Sequence, residues 1–598
     1  MRQRALDSHA ILDFDSEVLP GPRLLFDGFD RVIATHEPAQ VRAALEEVER
    51  ELRAGHYAVG FLTYEAAPGL DPHLECRRPL SALPVLWFGL SSCPEALQRP
   101  APPVSAERGS SGITTVEWKP TLSSRAYGQS FRQIAKHIRD GDTYQVNFTF
   151  ALTGRFTGSA TSLYAQLRTA QAAGYCAWIH TSEWDVLSAS PELFFEKKGR
   201  QVRTRPMKGT RPRGMTWAED LALAHELEAS DKDRAENVMI VDLLRNDLGR
   251  LASAGTVRCP RLFDIERYPT VLQMTSTITA ELRDGVGLVE LFTALFPSGS
   301  VTGAPKIRTM QIVSELEREP RGVYCGTVGC WLPSGDAVFN VAIRTLVITK
   351  QGEARYGVGS GLVADSDPER EYDECLLKAQ VLERAAEPPF RLLETMRYEP
   401  TCGIALLDRH LQRLGDSALY FGHAFERATV AAHLEREAQA WNEPLRIRLV
   451  LDRQGRIEIE TAPLGAERPI RTVRLAQHRV NSRDPFLYHK TTHRRIYEEA
   501  FAERGEADDV LLVNERGEVT ESTIANVALE RDGVWVTPPL SCGLLGGTMR
   551  AELLEKGRFR EGIIRAEELC PEARLMLFNS VRGPFEVRLL MPARREGP

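Results

Sequence analysis

Between residues 38 and 53 the apolar positions Val41, Ala44, Leu45, Val48 and Leu52 recur at near-helical spacing, which predicts an amphipathic helix. Residues 56–64 form an almost unbroken apolar run of strand length and predict a buried strand. From residue 121 to about residue 385 helical and strand patterns alternate. Helices are predicted over 124–140, 219–230, 233–245 and 368–384. Strands are predicted over 143–152, 323–331 and 337–349. After a break, residues 391–397 look strand-like again and 408–420 form a further amphipathic helix.

Two stretches punctuate this pattern. Residues 99–112 are polar and rich in proline and glycine, and 385–389 read Ala-Ala-Glu-Pro-Pro. They divide the chain into parts of 1–110, 120–385 and 390–598 with no internal repeat, so a fusion of unlike units is expected. At 598 residues the chain is too long for one core, and two to four domains are expected. Lys+Arg of 75 against Asp+Glu of 82 gives a net charge of -7, which argues against a nucleic-acid binder. No apolar run approaches the ~20 residues of a membrane span. The N-terminal Met1-Arg-Gln-Arg-Ala leads into acidic sequence and not into an apolar signal region. The 10 cysteines lack any Cys-x-x-Cys pair, so reduced thiols in the cytoplasm are the expectation.

Candidate chemistry begins at Arg205-Pro-Met-Lys-Gly-Thr-Arg-Pro-Arg213. Pro206 biases Arg205 toward extended backbone, and Gly209 permits a bend after Lys208. A lysine placed in this way can serve as an amine nucleophile. Taken alone, the segment favours a solvated surface turn. Asp233 with Glu236, and Glu371 with Glu374, each sit at i and i+3 on a predicted helix. Two such pairs suit a hard dication with oxygen ligands, although acidic pairs also decorate ordinary solvated faces.

The stretch from about Thr121 to Arg384 resembles the chorismate-utilising enzymes. The resemblance is carried by Gly141-Asp-Thr-Tyr-Gln-Val-Asn147, Ser188-Ala-Ser-Pro-Glu-Leu-Phe194 and Arg205-Pro-Met-Lys-Gly-Thr210. It continues through residues 231–247, Phe296-Pro-Ser-Gly-Ser-Val-Thr-Gly-Ala-Pro-Lys306, Ile343-Arg-Thr345 and residues 356–366. It implies an αβ sandwich in which residues 1–110 pack with the later part. It also implies Mg2+ held chiefly by Glu236 and Glu374, with Asp233 and Glu371 nearby. Lys208 would add to C2 of chorismate and Glu192 would protonate the departing C4 hydroxyl. Thr302, Gly303, Arg344, Tyr356, Gly359 and Gly361 would bind the substrate. A lysine at position 208 resembles the aminodeoxychorismate synthases more than the anthranilate synthases, which usually carry a small residue there. Gln273 departs from several relatives that have histidine, and glutamine cannot shuttle a proton. No stretch resembles a glutaminase, which implies a separate glutamine amidotransferase as ammonia source.

Residues 390–598 resemble the fold-type IV pyridoxal-phosphate enzymes, which have two subdomains. Asp408-Arg-His-Leu-Gln-Arg-Leu414, Tyr488-His-Lys-Thr-Thr-His-Arg494, residues 514–526 and Leu544-Leu-Gly-Gly-Thr-Met-Arg550 carry this likeness. It implies pyridoxal 5'-phosphate bound to Lys490, with Glu521 at the pyridine nitrogen. Arg413, Thr548, Met549 and Ser580 would hold the phosphate. The class as a whole is thus α/β with α+β, in several domains. Fused, the two resemblances imply synthesis of 4-aminobenzoate. Two alternatives remain open at this point: another chorismate enzyme joined to an aminotransferase, and a non-catalytic scaffold for the amidotransferase. The oligomeric state is also open, although fold-type IV relatives are commonly homodimers.

Overall fold

The computed structural model describes residues 8–97, 116–384, 389–465 and 469–591. The predicted break at 99–112 lies outside the described residues, as does that at 385–389 apart from Pro389. Two compact units are present, residues 1–213 with 223–387, and residues 214–222 with 388–598.

The first unit contains, among the described residues, two ten-stranded sheets. One runs through Gln145–Arg155, Glu353–Leu362, Thr345–Thr349, Trp184–Ser190, Tyr175–His180 and His9–Phe14 as successive neighbours. The other runs through Met207–Pro212, Val271–Glu281, Gln201–Arg205, Leu193–Lys198, Ala337–Val341, Thr327–Trp331 and Tyr57–Leu62. Strands from before residue 97 therefore complete sheets that begin after residue 145. Leu12, Phe14, Val59, Phe61, Ile179, Val186 and Val328 form the layer between the sheets. Val41–Arg53, Asp231–Gly249 and Leu288–Leu295 cover the outer face of the second sheet. Ser124–Arg139, Ala160–Gln171, Lys306–Leu316 and Pro368–Leu377 cover that of the first. The result is a four-layer helix–sheet–sheet–helix sandwich. In Tyr57–Leu62, Val59 and Phe61 face the middle layer while Ala58 and Leu62 face the helices. Burial on both faces explains the unbroken apolar run of that strand.

Three predicted elements differ. The strand expected over 323–331 begins only at Thr327, because Gly322 and Cys325 take positive φ values of 65° and 64°. The strand expected over 337–349 is two strands, Ala337–Val341 and Thr345–Thr349, in different sheets. Arg344, with φ of 52°, lies in the crossing between them. The helix expected over 368–384 breaks into Pro368–Leu377 and Val381–Arg384.

Among the described residues, the second unit has a four-stranded sheet, with Leu392–Glu399 beside Leu445–Leu451, covered by helices Leu407–Phe421 and Arg427–Ala438. An eight-stranded sheet, counted over the same residues, follows, built from strands between Thr472 and Leu589.

Candidate active sites

In the first unit a cavity of about 520 Å³ is lined by residues of both sheets. The chain crosses between the sheets twice beside it. One crossing, between Trp184–Ser190 and Leu193–Lys198, delivers Glu192; the other delivers Arg344. Lys208 lies on the edge strand Met207–Pro212. Pairing runs from Met207 opposite Thr275 to Thr210 opposite Gln273, so one extra residue is accommodated between them. This is a β-bulge, with Gly209 at φ 95°, and not the surface turn that the segment taken alone favours. Bulges re-aim side chains, and here Lys208 Nζ stands 3.4 Å from Glu236 Oε2. Gly361 gives the lysine its room, since a Cβ there would lie 2.0 Å from Lys208 Nζ.

Glu236 and Asp233 project from the helix Asp231–Gly249, whose first turn is capped by Ser230 Oγ accepting from Asp233 N. Glu371 and Glu374 come from Pro368–Leu377, capped by Asp367. All four carboxylates line the cavity, but they are not equivalent. Asp233 is paired with Arg211 at 2.8 Å. Glu371 accepts hydrogen bonds from Ser360 and Ser366. Glu236 and Glu374 instead face lysine side chains, Lys208 and Lys378, the latter at 2.6 Å. Among the described residues no three carboxylates converge as a ready-made metal cluster. Glu236 and Glu374 fit Mg2+, which commonly takes one or two carboxylates and completes its shell with water and substrate oxygen.

Burial pushes the Glu192 carboxyl up to about 7, against the opposing hydrogen bond from Ser300 and the charge of Lys208. Ser300 Oγ donates to Glu192 Oε1 at 2.5 Å. Burial also opposes ionisation of Glu374, yet Lys378, Lys208 and Arg344 together hold it below the usual carboxylate range. The buried Glu192 carboxyl is therefore poised to carry a proton, and the half-buried Glu374 carboxyl is kept anionic.

Three predicted substrate-binding residues lie just behind the lining. Thr302 is fully buried, and its hydroxyl donates to the Ser298 carbonyl at 3.1 Å; Ser300 and Val301 face the cavity instead. Gly303 packs against the Gln145 carbonyl, which a Cβ would meet at 2.1 Å. Tyr356 is buried and donates to the Lys378 carbonyl at 3.3 Å, while Gly357 to Gly361 line the cavity. Arg344 donates to that same carbonyl. The helix break after Leu377 frees the carbonyl, and these two side chains satisfy it. Ser300 and Lys378 escaped the sequence reading. Ser300 lies inside a quoted motif, and Lys378 follows Glu374 at i+4, so both were in reach.

The second unit holds a cavity of about 620 Å³ lined by Lys490, Glu521, Arg413, Thr548, Met549 and Ser580, among others. Burial, reinforced by Arg413 and Arg494, lowers the Lys490 amine to about 8. Burial raises Glu521 to about 7 although its carboxylate receives Leu545 N–H at 3.1 Å and Tyr497 hydroxyl at 2.8 Å. An amine close to neutrality opposite a buried carboxyl fits the aldehyde and the pyridine nitrogen of pyridoxal phosphate. Gly547 precedes the helix Thr548–Glu555, and a Cβ there would lie 1.9 Å from Asn526 Oδ1. The first turn of that helix offers N–H groups to an anion. Arg413 lines the cavity, yet its guanidinium grips Glu394 with two hydrogen bonds, at 2.9 and 2.6 Å. The sequence reading passed over Glu394, although an acidic residue after Leu392 and Leu393 in a strand was a signal.

These are two lysine-centred pockets of enzyme type, one on a four-layer sandwich and one on a two-sheet unit. The chain belongs to the chorismate binding enzyme family, whose profile matches residues 21–384. Residues 391–590 match the amino-transferase class IV family. Aminodeoxychorismate synthase component 1 of Bacillus subtilis is 41% identical over 283 residues, which are 46% of this chain and 60% of that protein. Anthranilate synthase component 1 of Thermus thermophilus is 37% identical over 340 residues, 57% of this chain and 70% of that protein. The chain spans 57–60% of the length of three aminodeoxychorismate synthase relatives that it matches. The crystal structure of anthranilate synthase component I from Streptococcus pneumoniae covers 62% of this chain and 89% of its own, with a TM-score of 0.50 and 24% identity, and shares the fold. Among the described residues no helix is long and apolar enough to cross a membrane.

Proposed function

We propose that this chain makes 4-aminobenzoate, a folate precursor, from chorismate in two steps. The first unit converts chorismate and ammonia to 4-amino-4-deoxychorismate and water, with ammonia from a separate glutamine amidotransferase. The second unit eliminates pyruvate from that product. The observation that carries the reading is Lys208 Nζ at 3.4 Å from Glu236 in a cavity that also receives Glu192 and Glu374.

In the first step the Lys208 amine bonds to C2 of the ring as the C4–O bond breaks. Glu192, holding its proton up to about pH 7, gives it to the departing hydroxyl, which leaves as water. Ammonia then bonds to C4 as the C2–N bond to Lys208 breaks. Mg2+ held by Glu236 and Glu374 would neutralise and grip the ring carboxylate. Arg344 and the backbone of Gly359 and Gly361 orient the carboxylates. Gln273, which accepts from Thr210 Oγ1 at 3.3 Å, offers no proton relay for aromatisation here. That supports release of a non-aromatic amine.

In the second step pyridoxal phosphate, when bound, supplies the electron sink. Lys490 Nζ, lowered to about 8, would take the proton from C4 of the substrate ring and pass it to the departing enolpyruvyl group, which leaves as pyruvate as the ring becomes aromatic. Glu521 would keep a proton on the pyridine nitrogen, and Arg413 with the first turn of Thr548–Glu555 would hold the phosphate.

The test supplies chorismate, Mg2+ and an ammonium salt to the purified chain and follows 4-aminobenzoate and pyruvate. Lys208→Ala is expected to stop amination. Lys490→Ala is expected to accumulate the aminodeoxy intermediate and halt aromatisation. Undiminished aromatic product from the Lys490 variant would remove the second unit from the reading.

A further inference from the structure

Behind the lining of the second unit's cavity, Glu394 and His410 form a charged cluster with Arg413, which does line it. Glu394 on the strand Leu392–Glu399 is 2% exposed. Its Oε1 accepts from Arg413 Nε at 2.9 Å and its Oε2 from Arg413 Nη2 at 2.6 Å. The same Oε2 meets His410 Nδ1 at 2.7 Å. His410 is fully buried, and its Nε2 lies 3.3 Å from Thr548 Oγ1. Arg413 Nη1 also donates to the Gly546 carbonyl at 3.2 Å. Burial opposes ionisation of Glu394, but Arg413 and His410 hold it at about 2. Burial lowers His410, against the pull of Glu394. A neutral His410 then donates Nδ1–H to the carboxylate and accepts a hydrogen bond from the Thr548 hydroxyl on Nε2.

One carboxylate thus ties a strand, the helix Leu407–Phe421 and the first turn of Thr548–Glu555. Of the five N–H donors of Arg413, three are spent on Glu394 and Gly546, leaving two for the cavity that Arg413 lines. Thr548 and Met549 line that cavity from the first turn of the helix, where backbone N–H groups have no partner within the helix.

We propose that Glu394, acting through Arg413 and His410, is a positioning residue that sets the arginine and the helix N-terminus to grip one phosphate group. The inference rests on the pyridoxal-phosphate reading above. The competing account is a buried ion pair that serves only the fold.

The two accounts separate on whether the ligand carries a phosphate. Full-length apoprotein is titrated with pyridoxal 5'-phosphate and with pyridoxal, following ligand absorbance, with thermal unfolding recorded alongside. Glu394→Gln is expected to weaken pyridoxal 5'-phosphate binding roughly tenfold or more, on the scale of one charge-assisted hydrogen bond, and pyridoxal by less than about threefold. His410→Asn keeps a donor toward Glu394 while losing the Thr548 contact, and should show a smaller preference of the same sign. It carries the test if Glu394→Gln does not fold. Equal weakening of both ligands, or none, overturns the proposal. Wild-type apoprotein that binds neither ligand overturns the cofactor reading itself, a distinct result.

Discussion

Glu192 shows how much chemistry one burial decides. Its carboxyl is pushed up to about 7, so the acid form is present below that value and lost above it. At fixed free ammonia, kcat/KM for amination should therefore fall on the alkaline side of about pH 7. Glu192→Gln should abolish that limb and slow amination by roughly 10²–10⁴-fold. A pH profile unchanged by the substitution would assign proton donation elsewhere. Gly361 acts by what it lacks. A methyl group there would meet Lys208 Nζ at 2.0 Å, and the flexible lysine tip can yield. Gly361→Ala should leave the melting temperature nearly unchanged and yet slow amination about 10²-fold, the usual cost of ~1 Å misplacement. Equal loss of stability and rate would make Gly361 a folding residue only.

At the scale of elements, the candidate site groups of the first unit sit where regular structure is interrupted. Lys208 occupies a bulge, Glu192 and Arg344 occupy crossings between sheets, and Lys378 follows a helix break. The bulge depends on Gly209 at φ 95°, where a Cβ would also stand 3.2 Å from Asp233 Cβ. Gly209→Ala should cost about 1–2 kcal/mol in chemical denaturation and lose amination beyond what that fraction unfolded explains. Full activity in the folded fraction would show that the bulge does not aim the lysine. The helices were legible because apolar spacing is a local property, as in Val41–Arg53. The split of residues 337–349 was not, because both halves are apolar and strand-like. Only the left-handed Arg344 between them marks the change of sheet.

At the scale of the whole molecule, the two lysine pockets lie in separate compact units. If each step runs on its own unit, a mixture of the Lys208→Ala and Lys490→Ala chains should form 4-aminobenzoate after a lag, although neither forms it alone. Failure of the mixture, with each single step intact, would mean that the intermediate is not released. The sequence by itself determined the order of the motifs, the type of most elements and the identity of both lysines, because these are written in neighbouring residues. Tertiary structure alone decided that Asp233 and Glu371 take neighbours of their own, that Thr302, Gly303 and Tyr356 stand behind the lining, and that Glu394 backs the second cavity. It also decided which carboxyls hold protons, because burial and charge pairing sum over residues scattered along the chain.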